Sequence, residues 1–323
     1  MNLTIRSAAL TLAALALVAV NPVTTPVSAV PVVVGTIFVG DSPRAMAITP
    51  NGRKAYVANT WGDTVTAINV VDDYVSDTIS VGAGPHAIAI SPNGQKVYVA
   101  NTDSDTVSEI SVATGDVTNT IPVGDGPQSL AISPNGREIY VANNRDDTVS
   151  IITLARGQVS DTISVGAGPH AIAISPNGKK AYVANWSSDS VSVINVATRV
   201  VTDTILVGNW PSGLAISADG RKIYVTNNSD NTVSVIAGAR GQVTNTIPVG
   251  DGPQAIAISP NGRKIWVANI FDDSVSVINV ATRGVTDTIL VGDWPESIAF
   301  KPRGGKAYVV NSQADSVSVI NTR

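Results

Sequence analysis

Residues 250–291 read GDGPQAIAISPNGRKIWVANIFDDSVSVINVATRGVTDTILV. Four short runs rich in Val, Ile and Thr, the residues strands prefer, divide this stretch. The first, Gln254 to Ser259, ends at Pro260-Asn261-Gly262, and an Asn-Gly pair between such runs is a strong hairpin signal. The second is Lys264 to Ala268, the third Ser274 to Asn279 and the fourth Gly284 to Val291. Helical periodicity is absent, and the first three runs are apolar on both faces, as in strands covered on both sides.

Outward from this copy the same text recurs. Gly40, Gly82, Gly124, Gly166, Gly208, Gly250 and Gly292 each open it, always 42 residues apart, and seven copies fill residues 30–323. Four strands in each 40–45 residues are the mark of a propeller blade. The fold class is therefore all-β, a seven-bladed β-propeller of four-stranded antiparallel blades. The last copy stops after its third strand, while Val34-Gly35-Thr36-Ile37-Phe38-Val39 parallels Thr286-Asp287-Thr288-Ile289-Leu290-Val291. The N-terminal strand is expected to complete blade seven and close the ring.

Residues 1–29 read differently. One positive charge at Arg6 precedes a short apolar run from Ala8 to Val20, and Val27-Ser28-Ala29 is a small-residue cleavage site. A membrane span needs about 20 apolar residues, so the segment reads as a secretory signal peptide cut after Ala29. The mature chain, 30–323, is expected to be a secreted or extracytoplasmic monomer, associated with the cell surface. It has no Cys, which excludes disulfides, a thiolate nucleophile and Cys-bound metals. With only two His, no metal site and no cofactor is expected.

The second strand reads Tyr-Val-Ala-Asn in most copies and Tyr224-Val225-Thr226-Asn227 in the fifth. This resembles the YVTN-type propeller repeat of bacterial and archaeal surface-layer and secreted proteins, over the whole mature chain. The resemblance implies the seven-bladed fold. It leaves activity open, because related propellers include adhesive surface proteins, DNA-binding periplasmic proteins, lactonases and streptogramin lyases.

Positions that are alike in all blades read as structural. Asn59, Asn101, Asn143, Asn185, Asn227, Asn269 and Asn311 end the second strand; four residues on stand Asp63, Asp105, Asp147, Asp189, Asn231, Asp273 and Asp315. Both columns are expected to hydrogen-bond loop backbone. Tyr56, Tyr98, Tyr140, Tyr182, Tyr224, Trp266 and Tyr308 are expected to pack between blades.

Positions that vary are where a site belongs. Loops after the second and fourth strands share one face, the top; turns after the first and third share the bottom. The first residue of each inner strand is expected to ring the upper channel mouth: Arg44, His86, Gln128, His170, Ser212, Gln254 and Glu296. Trp61, Trp186, Trp210, Phe271 and Trp294 fall in top-face loops, where exposed aromatics suit a protein or carbohydrate partner. Arg53, Lys54, Lys96, Arg137, Lys179, Lys180, Arg221, Lys222, Arg263, Lys264 and Lys306 gather at the bottom with Arg156, Arg199, Arg240 and Arg283, while most acids belong to the top. Such a face suits an anionic wall polymer or DNA.

The leading expectation is thus a secreted binding scaffold without catalysis, its contacts made by the top-face aromatics and the channel ring. The alternative is a propeller enzyme, a lactonase or one like a streptogramin lyase, in which His86, His170 and Glu296 are the catalytic candidates.

Overall fold

The computed structural model describes residues 31–322; the predicted signal peptide, 1–29, lies outside the described residues. Twenty-eight strands in chain order form seven four-stranded antiparallel sheets. Blade one holds β2 (Pro43–Ile48), β3 (Lys54–Asn59), β4 (Thr64–Asn69) and β5 (Tyr74–Ser80) from axis to rim, and the others repeat it. In blade seven, β26 (Pro295–Phe300), β27 (Lys306–Asn311) and β28 (Ser316–Asn321) are completed by β1 (Val32–Phe38). β1 runs antiparallel to β28 from Val32 opposite Asn321 to Phe38 opposite Ser316. The expected closure is present.

The second and third strands are nearly all buried, as their two-sided apolar character requires. Their side chains do not form one central core. Seven hydrophobic clusters occur, each shared by two neighbouring blades, such as Tyr140 and Ile151 of blade three with Ile172 and Val183 of blade four. The repeated aromatic column belongs to these seams: Tyr56, Tyr98, Tyr140, Trp266 and Tyr308 are at most 1% exposed.

The polar columns tie the ring together at the top. Each repeated Asn is fully buried and donates from Nδ2 to two hydroxyls of the third strand, as Asn143 does to Thr148 (3.0 Å) and Ser150 (2.8 Å). The Asp column acts between blades. Asp63, Asp105, Asp147, Asp189, Asn231, Asp273 and Asp315 each accept the N–H of the third residue in the next blade's Gly-x-x-Pro loop, at 2.8–3.0 Å. Seven bonds of one kind circle the molecule, and the last, from Ser42 to Asp315, crosses the closing seam.

Candidate functional site

A β-bulge makes the channel ring. In every blade the pairing of the first two strands slips just after the opening proline, between Pro85 and Ala87 or between Pro169 and Ala171 for example. The skipped residue is the ring residue, second in its strand rather than first. A bulge re-aims its unpaired side chain, here toward the axis. In blade five the slip spans Pro211 to Leu214. There Ser212 is buried, its hydroxyl 2.8 Å from both Thr226 Oγ1 and the Pro253 carbonyl, so it is withdrawn from the ring.

The remaining ring residues fall into two groups. Arg44 and Glu296, from blades one and seven, form an ion pair of 3.1 Å across the closing seam. Glu296 is 8% exposed; burial pushes its carboxyl up, and Arg44 opposes that rise. His86 and His170 come from alternate blades, yet their rings meet edge to face with centroids 6.3 Å apart. Each is anchored in the same manner: His86 Nδ1 lies 3.0 Å from the Gln128 carbonyl, and His170 Nδ1 3.0 Å from the Ser212 carbonyl. Gln254 accepts from Asn228 Nδ2 at 3.4 Å, and Gln128 contributes its backbone carbonyl to His86.

Those anchors decide the chemistry of the imidazoles. A carbonyl only accepts, so Nδ1 carries the proton and Nε2 keeps its lone pair. Both rings are half-buried. Burial, then the Arg44 charge, then His170 push His86 down to about 3. Burial also lowers His170, with Arg44 adding to it against the Ser212 bond. Near neutrality the channel therefore holds two uncharged bases beside a fixed ion pair. Glu296 does not join the histidines directly; it holds Arg44. Among the described residues no group of three or more His, Cys, Asp or Glu is placed to hold a metal ion. Two imidazoles and a carboxylate committed to Arg44 are a poor fit to a catalytic metal site.

The top-face aromatics extend this cluster. His170 lies against Trp186 with centroids 5.1 Å apart, and Trp186 stacks on Trp210 at 5.2 Å and 20°. His86, His170, Trp186 and Trp210 thus form one continuous ledge of ring contacts. Phe271 and Trp294 make a separate edge-to-face pair at 6.0 Å, and Trp61 stands apart, 74% exposed. The backbone at Trp210 and Trp294 is left-handed, φ 56° and 55°, at a position that is Gly in four blades and Ser42 in another. A large side chain there costs about 1–2 kcal/mol.

The bottom face is less basic than expected. It carries its own acids, and they hold part of the positive charge: Lys96 with Glu109, Arg199 with Glu138 and Asp161, Lys264 with Asp287, and Lys306 with Asp73. Glu109 and Asp287 hold cations of their own blades, while Asp73, Glu138 and Asp161 hold cations of a neighbouring blade. Among the described residues no helix is long and apolar enough to cross a membrane.

Comparison with known proteins places this geometry. The model of the lactonase seven-bladed β-propeller family matches residues 40–165, 122–247 and 240–323. No curated protein matches the chain. Among solved structures, Kuenenia stuttgartiensis hydrazine synthase matches at 24% identity with a TM-score of 0.81, over 87% of this chain and 95% of that one, a likeness of fold. The family match corrects the leading expectation from the sequence, a binding scaffold without catalysis, in favour of the alternative of an enzyme-like propeller. From Gly40 to Arg323 the chain belongs to the lactonase seven-bladed β-propeller family.

Proposed function

We propose that this protein hydrolyses a cyclic ester at the upper channel mouth, with His170 as general base. The observation that carries this reading is the pair of Nδ1 anchors, which leave the Nε2 lone pairs of two neighbouring rings unprotonated. Membership of the lactonase family supports the choice of ester. His86, held at about 3, is too weak a base for a step near neutrality. Its neutral ring instead packs against His170 and keeps that ring in place.

The step balances without a further reactant. His170 Nε2 takes a proton from water as the water oxygen bonds to the lactone carbonyl carbon. The negative charge on the carbonyl oxygen falls near the Arg44 guanidinium. Collapse breaks the bond from the acyl carbon to the ring oxygen, which leaves with the proton from the imidazolium. The product is a hydroxy acid. The Trp186–Trp210 ledge beside His170 gives the non-reacting part of the substrate an apolar face to lie on.

Proton release from dihydrocoumarin and δ-valerolactone at pH 7.5 tests the proposal. Wild type is expected to turn over at least one of them, and His170→Ala to lower kcat/KM by about 10²–10³-fold with an unchanged melting temperature. Wild-type hydrolysis no faster than buffer, or equal rates in the variant, would refute it. We also propose that residues 1–29 direct export, in keeping with the surface-layer side of the repeat resemblance. N-terminal sequencing of the protein from the culture medium, with Val30 expected first, is the check.

A further inference from the structure

The bottom face builds one arrangement at three of its tyrosines, and at a fourth it keeps the cation but lacks the carboxylate. The turn between the third and fourth strands has a left-handed residue in blades one to six: Asp73, Gly115, Gly157, Arg199, Gly241 and Arg283. Where it is charged, it reaches the preceding blade. Asp73 meets Lys306 and accepts from the Tyr308 hydroxyl at 2.8 Å. Arg199 meets Glu138 at 3.0 Å, and Glu138 accepts from the Tyr140 hydroxyl at 3.1 Å. Blade two builds the same trio internally, with Lys96 2.6 Å from Glu109 and Tyr98 bonded to Glu109. In all three a carboxylate sits between a cation and a buried tyrosine.

Between blades five and six the carboxylate is missing. Two repeats on from Glu138 stands Lys222, two on from Asp161 stands Asn245, and two on from Arg199 stands Arg283. Lys222 and Arg283 line one pocket together with Arg263. It adjoins a cavity of about 510 Å³ walled by Lys222 and Tyr224. No ion pair holds any of the three cations among the described residues, unlike Arg199. Asp219, on the far wall, is occupied by the Ser217 hydroxyl (2.6 Å) and the Arg221 N–H (3.0 Å), as the turn residue in that place is in other blades. Tyr56 and Tyr182 also lack a bonded carboxylate, but their seams carry Gly115 and Gly241 at the turn, so no second cation accumulates there.

We propose that this seam is a binding site for a small organic oxyanion, a carboxylate or phosphate monoester, held by Lys222, Arg263 and Arg283 with the Tyr224 hydroxyl as a further donor. The anion takes the place that Glu138 and Asp73 fill elsewhere, and charge-assisted bonds of this kind are the strong ones. The site is on the face opposite the channel mouth and does not depend on the lactone reading.

Titration calorimetry with inorganic phosphate and with succinate, at constant ionic strength set by chloride, tests it. Wild type is expected to bind at least one of them in the millimolar range or tighter. Lys222→Glu restores the Glu138–Arg199 arrangement, so it is expected to weaken binding at least about tenfold while melting at or above the wild-type temperature. Arg283→Gly copies the turn of blades two, three and five, and is expected to weaken binding without unfolding. No binding by wild type, equal affinity in Lys222→Glu, or a matching effect of chloride alone would overturn the proposal.

Discussion

Two rings encircle the top of this molecule and treat their seven positions in opposite ways. In the Asp ring each residue accepts one N–H from the next blade, at nearly one distance, including Asn231 and the pair across the closing seam. In the bulge ring one backbone device presents Arg44, His86, Gln128, His170, Gln254 and Glu296, and Ser212 turns away. Here near-identical residues mark the joints, and the unlike residues are where we propose the chemistry lies. The backbone repeats in both rings, departing only at the longer slip of blade five, so regularity alone says nothing of function.

Substitutions in the two rings should separate these roles. The largest stability loss is expected inside the blade, where Asn143→Ala removes one buried and one part-buried hydrogen bond from a fully buried site. Chemical denaturation should show a cost of about 2–3 kcal/mol, against little change for His170→Ala. Asp273→Ala orphans the Trp294 N–H and puts Ala at a left-handed backbone position. It is expected to cost about 1–2 kcal/mol, and a smaller loss would mean the interblade bonds are not what seals the ring.

Acid provides a subtler test of the bulge ring. Folding holds His86 neutral, moving it from 6.5 to about 3. Between these values the unfolded chain binds a proton that the folded chain refuses, so stability rises with pH there. The His86 contribution is complete above pH 6.5 and lost as pH falls toward 3. Glu296, pushed up by burial, acts with the opposite sign as pH rises above its ordinary range. Denaturation curves of wild type should therefore weaken on acidification more steeply than those of His86→Gln. Parallel curves would mean that the imidazole is not sheltered.

Much of this was legible in the sequence. The 42-residue spacing counted the blades, the orphan strand before Gly40 announced the closure, and the uniform Asn and Asp columns pointed to loop hydrogen bonds. The partners were harder to see, because they come from the ring and not from the repeat. The acceptor for Trp294 N–H lies 21 residues back, in another blade. Arg199 finds Glu138 at a separation of 61 residues and Arg44 finds Glu296 at 252. The bulge has no residue signature beyond the proline before it, and without it the contact between His86 and His170 could not be foreseen. Asp73, Glu138 and Asp161 of the bottom face were overlooked because they look solvated until the neighbouring blade is placed beside them.

The closing strand also fixes a direction. β1 begins and β28 ends side by side, Val32 opposite Asn321, where the turns of the bottom face lie. Any chain continuing from either end departs from that face, close to the pocket of about 460 Å³ bordered by Pro31 and Thr322. A fusion, a support or an anchor attached at either terminus would therefore sit beneath the ring and leave the histidine-lined mouth pointing outward, open to whatever diffuses past.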